Sequence, residues 1–521
     1  MMSPRDEEMM DTTFKLIAIL LYFAAMLAIG FYASRKNNDL DDYMLAGRKL
    51  PPFVAALSAG ASDMSGWLLL GLPGAVYASG LVEAWIAVGL TIGAWLNWKF
   101  IAPRLRAYTE VARNSITIPS FLENRFRDRT HLLRIVAGGI VLVYFTFYVS
   151  SGMVAGGKFF ESSFGSTYLV GMLLVAGVTI VYTLFGGFLG ASLTDVAQGL
   201  LMLAALIAVP VVALINVGGW GEMVDLIGSA DAGMEEGTNR LSFLANATWV
   251  GVISALAWGL GYFGQPHIIV RFMALRSAKD AVAGRRIGVA WMAICAFGAV
   301  MTALVGIAYF QANPGITLDD PETVFLVLAQ ILFHPFVAGL VLAAVLAAVM
   351  STISSQLIVC SSALVEDLYK LFGRKASARN ELWLGRGGVI LVAIIAILIA
   401  LDPEASVLDL VSFAWAGFGA SFGPVVILAL FWKKFNAWGS LSSLVVGAVI
   451  VFWWGNMPDE AWGGAFEMYE IVPGFVLAAI VGIIVSLVTH RSEAAETAEI
   501  SAEFDEAVAV SKGKEFVTSE A

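Results

Sequence analysis

Apolar residues along this chain fall into long runs separated by short polar or basic stretches. A run of ~20 apolar residues is the length that crosses the hydrocarbon core of a bilayer as an α-helix. Read this way, the pattern predicts about thirteen crossings. They fall near 14–34, 53–79, 82–103, 132–160, 167–188, 193–216, 245–269, 284–311, 336–369, 386–402, 405–432, 438–456 and 470–489. The polar loops between them are too short to hold a soluble catalytic domain. The expected fold class is therefore all-α and polytopic.

Lysines and arginines in the loops orient the crossings, because cytoplasmic loops carry the excess of both. With the N-terminus outside, the inside loops hold Arg35 and Lys36, Arg48 and Lys49, the cluster from Arg104 to Arg129, and the group from Arg271 to Arg286. They also hold Lys370, Arg374, Lys375, Arg379, Arg386, Lys433 and Lys434. The outside segments hold only Arg5, Lys15, Lys158 and Arg240, and two outside loops are acidic, at Asp319-Asp320-Pro321-Glu322 and Asp459-Glu460. This alternation predicts an odd number of crossings, with the C-terminus in the cytoplasm.

Two crossings depart from a plain spanning helix. The second reads Ser58-Ala59-Gly60-Ala61-Ser62-Asp63-Met64-Ser65-Gly66-Trp67, with Gly71-Leu72-Pro73-Gly74 beyond it. The seventh reads Trp258-Gly259-Leu260-Gly261-Tyr262-Phe263-Gly264-Gln265-Pro266-His267. Lipid cannot satisfy freed backbone groups, so small and polar residues at that depth line a cavity or pack against protein. Interrupted helices at matching places in two halves point to a transporter binding site. Crossings two to six and seven to eleven form two groups of five with opposite topology, an inverted repeat whose first member is broken in each half. The expected organisation is an extracytoplasmic tail at 1–13, a peripheral helix at 14–34, repeats at 53–216 and 245–432, two peripheral helices within 438–490, and an acidic cytoplasmic tail at 491–521. Close helix packing is the plainer reading of the glycines, but packing does not require Asp63.

Composition narrows the function. Of 521 residues, 59% are hydrophobic and 14% charged, against ~25% charged in soluble domains. Much of the net charge of -10 sits in the final tail, read as solvated and flexible or partly helical. No basic patch suggests nucleic acid, and no obligate protein partner is evident. Cys295 and Cys360 lie in apolar segments and read as buried thiols, not a disulfide. Four scattered histidines imply no zinc site, and the absence of a phosphate-binding Gly-rich loop argues against ATP hydrolysis. The acidic N-terminus marks the first apolar run as a retained helix. The sequon Asn246-Ala247-Thr248 hugs a membrane edge and reads as chance.

The first break carries the chemistry. Asp63 is an ionisable residue at membrane depth, functional by default. Its readings are a cap on the unwound turn, a direct ion ligand, or a proton carrier. The half-helix ending near Ala61 presents carbonyl oxygens, which suit a cation. The half-helix starting near Ser65 and Gly66 presents free N–H groups, which suit a carboxylate. The ninth crossing adds hydroxyls in Ala347-Ala348-Val349-Met350-Ser351-Thr352-Ile353-Ser354-Ser355, which either serve a hard cation or bond back one turn. Trp258 and Tyr262, four apart, share a helix face, and Tyr148 lies in the fourth crossing. Aromatic faces hold an ammonium and cover an apolar ring. Gln265 and His267 either line the cavity or satisfy backbone freed around Pro266. Asp195 opens the sixth crossing as an N-cap or gate residue. Glu366 and Asp367 fit a solvated or gating role.

These segments resemble the sodium/solute symporter family, and within it the sodium/proline symporters: residues 58–69, 71–75, 258–267 and 347–352 carry the likeness, which extends over roughly 14 to 490. The resemblance implies thirteen helices around a five-plus-five inverted-repeat core. It implies sodium-coupled uptake of L-proline by alternating access across the bacterial cytoplasmic membrane, with sodium as a co-transported ligand and no cofactor. Another small amino acid, pantothenate or a sugar is the alternative passenger. By the same resemblance, the sodium ligands are the carbonyls of Ala61, Met64 and Ala348 and the hydroxyls of Ser351 and Thr352. Asp63 and Ser65 support ion coupling. Trp67, Tyr148, Trp258 and Tyr262 line the substrate site, and Arg48, Asp195 and Ser355 take gating or coupling roles.

Overall fold

A computed structural model describes residues 4–34, 45–234, 237–245, 247–369, 378–458, 464–490 and 495–514. Arg35, Lys36, Asn246, Lys370, Arg374, Lys375, the pair Asp459-Glu460 and Arg491 lie outside the described residues, as do the side chains of Glu366 and Arg379. Among the described residues there is no β-strand beyond an isolated bridge between Leu50 and Leu275. Among the described residues nine helices are long and apolar enough to cross a membrane, and the pair Pro52–Asp63 and Trp67–Ser79, bent by 64°, makes a tenth. Shorter apolar helices occupy Tyr168–Val181, Trp249–Gly264 and Trp383–Ile399.

Hydrogen bonds define the two ends of the bundle. At one end, Arg48 donates to Asn114, Thr109 and the carbonyls of Met273 and Ser115. At the other, Glu322 accepts from the Val407 and Leu408 amides and pairs with Lys158. Lys15 reaches Gln330 near this Glu322 end, whereas the last helix docks at the Arg48 end.

The first broken helix starts beside Leu50 at the Arg48 end. Regular structure stops where Met64 takes φ -76°, ψ 80°. A π-turn over Trp67–Gly71 and a helix over Leu72–Ser79 complete the crossing. Pro73 directly follows the π-turn in a continuous helical backbone, and it lacks the N–H that would bond back along the helix. Gly80, at φ +87°, ends it against the Arg240 backbone, where any Cβ would collide. The second broken helix runs the opposite way. Thr248 caps Trp249–Gly261 by accepting from the Gly251 amide. A 3₁₀ turn over Tyr262–Gly264 and extended Gln265 follow, then Pro266–Met273. Pro266 forces the residue before it out of the helical region, which makes the break. The Leu50 amide donates to the Ala274 carbonyl where this helix ends, beside the start of the first.

Three expectations change. The crossings expected at 167–188 and 193–216 form one helical run, Tyr168–Val217. At 1.5 Å per residue it is about 75 Å long, over twice a bilayer core. Its first residue donates to the Ala400 carbonyl near the Glu322 end. Its last leads to Trp220–Asp231, whose Asp231 pairs with Arg240 beside Gly80. Both ends thus lie at one face, so the run turns back between its two apolar stretches, Tyr168–Val181 and Gly190–Val217, and still accounts for both crossings. The N-terminal tail is helical from Pro4. The acidic C-terminal tail, expected as flexible or partly helical, is a helix over Ala495–Ser511, and it differs from a solvated tail in being seated on the Arg48 end. Phe504 buries its ring against Tyr108, and Arg127 and Lys433 pair with Glu499, Glu503 and Asp505.

Backbones approach closely where Gly89 and Gly93 of helix Trp85–Leu96 meet Gly259. A Cβ on Gly259 would lie 2.3 Å from the Gly89 carbonyl oxygen. No side-chain rotation relieves a backbone clash. Gly259→Leu is therefore expected to destabilise the protein by about 1–3 kcal/mol, read as a lower thermal midpoint in detergent. An unchanged midpoint would mean that these two helices separate freely.

Candidate functional site

The two helix breaks meet in the middle of the bundle. The Asp63 carboxylate, buried by the end of the first half-helix, accepts a short hydrogen bond from the Tyr262 hydroxyl on the second break. The Asp63 main-chain carbonyl, freed by the unwinding, accepts from the Trp67 indole at 3.0 Å and the Tyr148 hydroxyl at 3.3 Å. Asn97 donates its amide to the Tyr262 carbonyl at 2.9 Å. These two backbone oxygens thus find donors, as a low-dielectric interior demands. Of the Asp63 side chain only Oδ1 has no hydrogen-bond partner among the described residues.

Beside Asp63 lies a cluster of oxygens. The Ser351 hydroxyl stands 2.9 Å from the Ala61 carbonyl and 3.0 Å from that of Ala348. Thr352 stands 3.1 Å from the Ala348 carbonyl. Both hydroxyls therefore bond back along their own helix, and Ser351 also reaches across to the broken one. A hydroxyl has one proton and serves one of its two carbonyls at a time. Carbonyl and hydroxyl oxygens gathered this way are the donor type that hard cations take. Met64 is fully buried at the same break, and the Ser65 hydroxyl accepts from the Trp67 amide at 3.4 Å. Gly66 allows the approach: a Cβ there would sit 2.8 Å from that of Ala155.

On the other side of the breaks the aromatic rings assemble. Trp67 and Trp258 lie with ring centroids 6.3 Å apart. Trp258 stacks on Tyr469 at 5.4 Å and on Trp415 at 6.4 Å, and Tyr262 meets Trp415 edge-on at 5.2 Å. Trp415 donates to the Trp258 carbonyl at 2.7 Å, while Gln265 donates to that of Trp415 at 3.1 Å. Gln265 thus satisfies backbone and keeps its own Oε1 unpartnered. His267 is fully buried, with neither ring nitrogen bonded among the described residues. Its ring faces Tyr148 at 5.7 Å.

Not every expected residue joins this centre. Asp195 and Ser355 lie a layer toward the Arg48 end, where both bond Arg271. Asp195 also accepts from Ser58 at 2.7 Å. Arg48 is outside the centre: at φ +53° it ties the chain before the first broken helix to the end of the second. Asp367 accepts from Thr117 and Arg134.

The family profile described as the sodium:solute symporter family matches residues 43–447. The chain belongs to this family. It is 54% identical over 473 residues to the high-affinity proline transporter PutP of Bacillus subtilis, covering 91% of this chain and 98% of the relative. It is 48% identical over 484 residues to the sodium/proline symporter of Escherichia coli, covering 92% and 94%. Among solved structures, a sodium-coupled sialic acid symporter in a substrate-bound outward-open state superposes with TM-score 0.74 over 91% of this chain and 98% of that one. At 22% identity that likeness speaks for the fold.

The symporter fold brings in residues that the sequence pattern did not single out. Trp415 lies in a crossing without a break, Val407–Phe431, and Tyr469 just before the helix Ile471–Thr489. Only the small-residue stretch Ala416-Gly417-Phe418-Gly419-Ala420 signalled close packing there. Arg271 was counted with the loops, because it falls at the end of a crossing. Tyr262→Phe keeps the ring against Trp415 and leaves the buried Asp63 carboxyl without its side-chain donor. It is expected to cost about 1–3 kcal/mol, measured as a lower thermal midpoint; no change would mean that another donor serves Asp63.

Proposed function

We propose that this protein is a secondary active symporter that imports L-proline with sodium across the bacterial cytoplasmic membrane. The carrying observation is the first break, where the Ala61 carbonyl meets the Ser351 hydroxyl on one side and the Trp67 and Trp258 rings face each other on the other. A cation and an amino acid can share that break because its two half-helices offer opposite partial charges. The names of the proline transporters to which the chain is about half identical support proline as passenger and sodium as driver.

In this reading Ala61, Met64, Ala348, Ser351 and Thr352 hold sodium, with Asp63 and Ser65 organising the turn between ion and solute. The carboxylate of proline takes the N–H end near Ser65 and Gly66. Its ring and secondary ammonium lie against Trp67, Tyr148, Trp258 and Tyr262, which supply apolar and cation–π contact. Sodium neutralises charge beside the carboxylate, so each ligand favours the other's binding, a reciprocal coupling. The Arg48 end faces the cytoplasm by the loop charges, which places the N-terminus outside and the tail helix inside.

Uptake of radiolabelled L-proline into proteoliposomes tests the assignment. Accumulation above the outside concentration is expected with an inward sodium gradient and not with potassium. Accumulation driven by protons alone would make Asp63 a proton carrier, and none under any gradient would remove proline as passenger.

Single substitutions divide the site. Ser351→Ala removes a hydroxyl worth about 1.5–3 kcal/mol to a charge. It should raise the sodium concentration for half-maximal uptake about tenfold or more. Trp258→Ala should raise the half-maximal proline concentration similarly and move the sodium value less. Equal shifts in both values for both variants would overturn the division.

A further inference from the structure

Between the proposed site and the Arg48 end lies a buried charge that the binding chemistry does not use. Arg271, 1% exposed, follows the second break by two turns. Its guanidinium donates to the Ser58 hydroxyl at 3.1 Å, the His267 carbonyl at 2.5 Å, Asp195 at 3.2 Å and the Ser355 hydroxyl at 2.7 Å. The Phe188 ring covers one face. One side chain thereby joins four elements: both broken helices, the helix of Asp195 and the helix of Ser351.

The positions of its partners matter. Ser58 lies one turn before Ala61, and Ser355 one turn after Ser351. The guanidinium therefore grips, one turn away, the same two helices that contribute the oxygen cluster. On its far side is a cavity bordered by Thr117, Pro266, Arg271, Ser355, Ser362 and Asp367. Its distal wall is closed by Asp367, which accepts from Thr117 at 2.9 Å and Arg134 at 3.1 Å. Arg271 thus stands between the oxygen cluster and this largely apolar recess toward the Arg48 end, whose polar groups are its own guanidinium, Thr117, Ser355, Ser362 and Asp367.

We propose that Arg271 is the inner latch of the transport path. Its bonds to Ser58 and Ser355 keep the first broken helix and the Ser351 helix together on the cytoplasmic side. They must break before cation and solute leave by the recess. The inference rests on the transport reading above for its biological meaning, and on the network alone for its geometry. Planar guanidinium can span two hydroxyls and a carboxylate together, a reach that a lysine ammonium lacks. When the helices part, the recess lets water replace the serine hydroxyls, while Asp195 retains the charge pair. Arg271 is accordingly a positioning residue and touches neither ligand.

The test uses accessibility. Ile358, on the recess wall and clear of the oxygen cluster, is replaced by cysteine in a chain carrying Cys295→Ala and Cys360→Ala. A membrane-impermeant thiol reagent is applied from the Arg48 side in inside-out vesicles, without proline. Arg271→Gln is expected to speed labelling at least tenfold, Ser355→Ala about threefold, and Arg271→Lys to fall between Arg271→Gln and the parent. Reagent on the opposite face should label no faster. Should Arg271→Gln fail to fold, the Ser355→Ala and Arg271→Lys rates decide. Labelling unchanged in the folded variants, or accelerated equally from both faces, would overturn the latch. Neither readout depends on proline, so failure of the passenger assignment would leave this result standing.

Discussion

Everything in this molecule turns on backbone left without a helical partner at mid-membrane depth. Two crossings stop short, and each stop releases carbonyl and amide groups that lipid cannot serve. The remedy is mutual. Tyr262 of one break bonds the Asp63 side chain of the other, and the freed Asp63 carbonyl takes donors from Trp67 and Tyr148. The antiparallel course of the two broken helices lets the breaks lie at one level. A continuous helix at either place would release no backbone groups at this depth.

The surrounding bundle supplies what the breaks lack. Asn97, on a π-turn of the next crossing, bonds the Tyr262 carbonyl, and Trp415 bonds that of Trp258. Glycines let these groups reach. A Cβ on Gly261 would overlap the Trp415 indole, so the indole could not lie across the helix. Toward the Arg48 end the same logic is ionic. Buried charge survives only when paired and hydrogen-bonded, and Arg271 meets that condition through Asp195, two serines and a carbonyl.

Much of this is readable in the linear chain, for a physical reason. A polar interruption inside an apolar run is costly, so Ser62-Asp63-Met64-Ser65-Gly66 and Gly264-Gln265-Pro266 announce the breaks directly. The Ser351-Thr352 hydroxyls stand out in the same way. What stays hidden depends on tertiary approach. Trp415 resembles any membrane aromatic until the fold sets it against Trp258 and Gln265. Arg271 and Arg125 look like loop cations, because counting positive residues near helix ends does not separate solvated from buried ones; both are 1% exposed or less.

The tail helix changes how the chain should be handled. Its aromatic foot, Phe504, sits between the Tyr108 ring and the Arg125 guanidinium, and Ala507 is nearly inaccessible beside it. A purification handle joined beyond the last residue leaves that foot in place. A truncation before Ala495, attractive because the tail is acidic and outside the membrane runs, would strip the cover from two aromatic and guanidinium surfaces at once. The shortened protein would present a sticky patch at the Arg48 end, a poor property in a preparation meant for vesicle reconstitution.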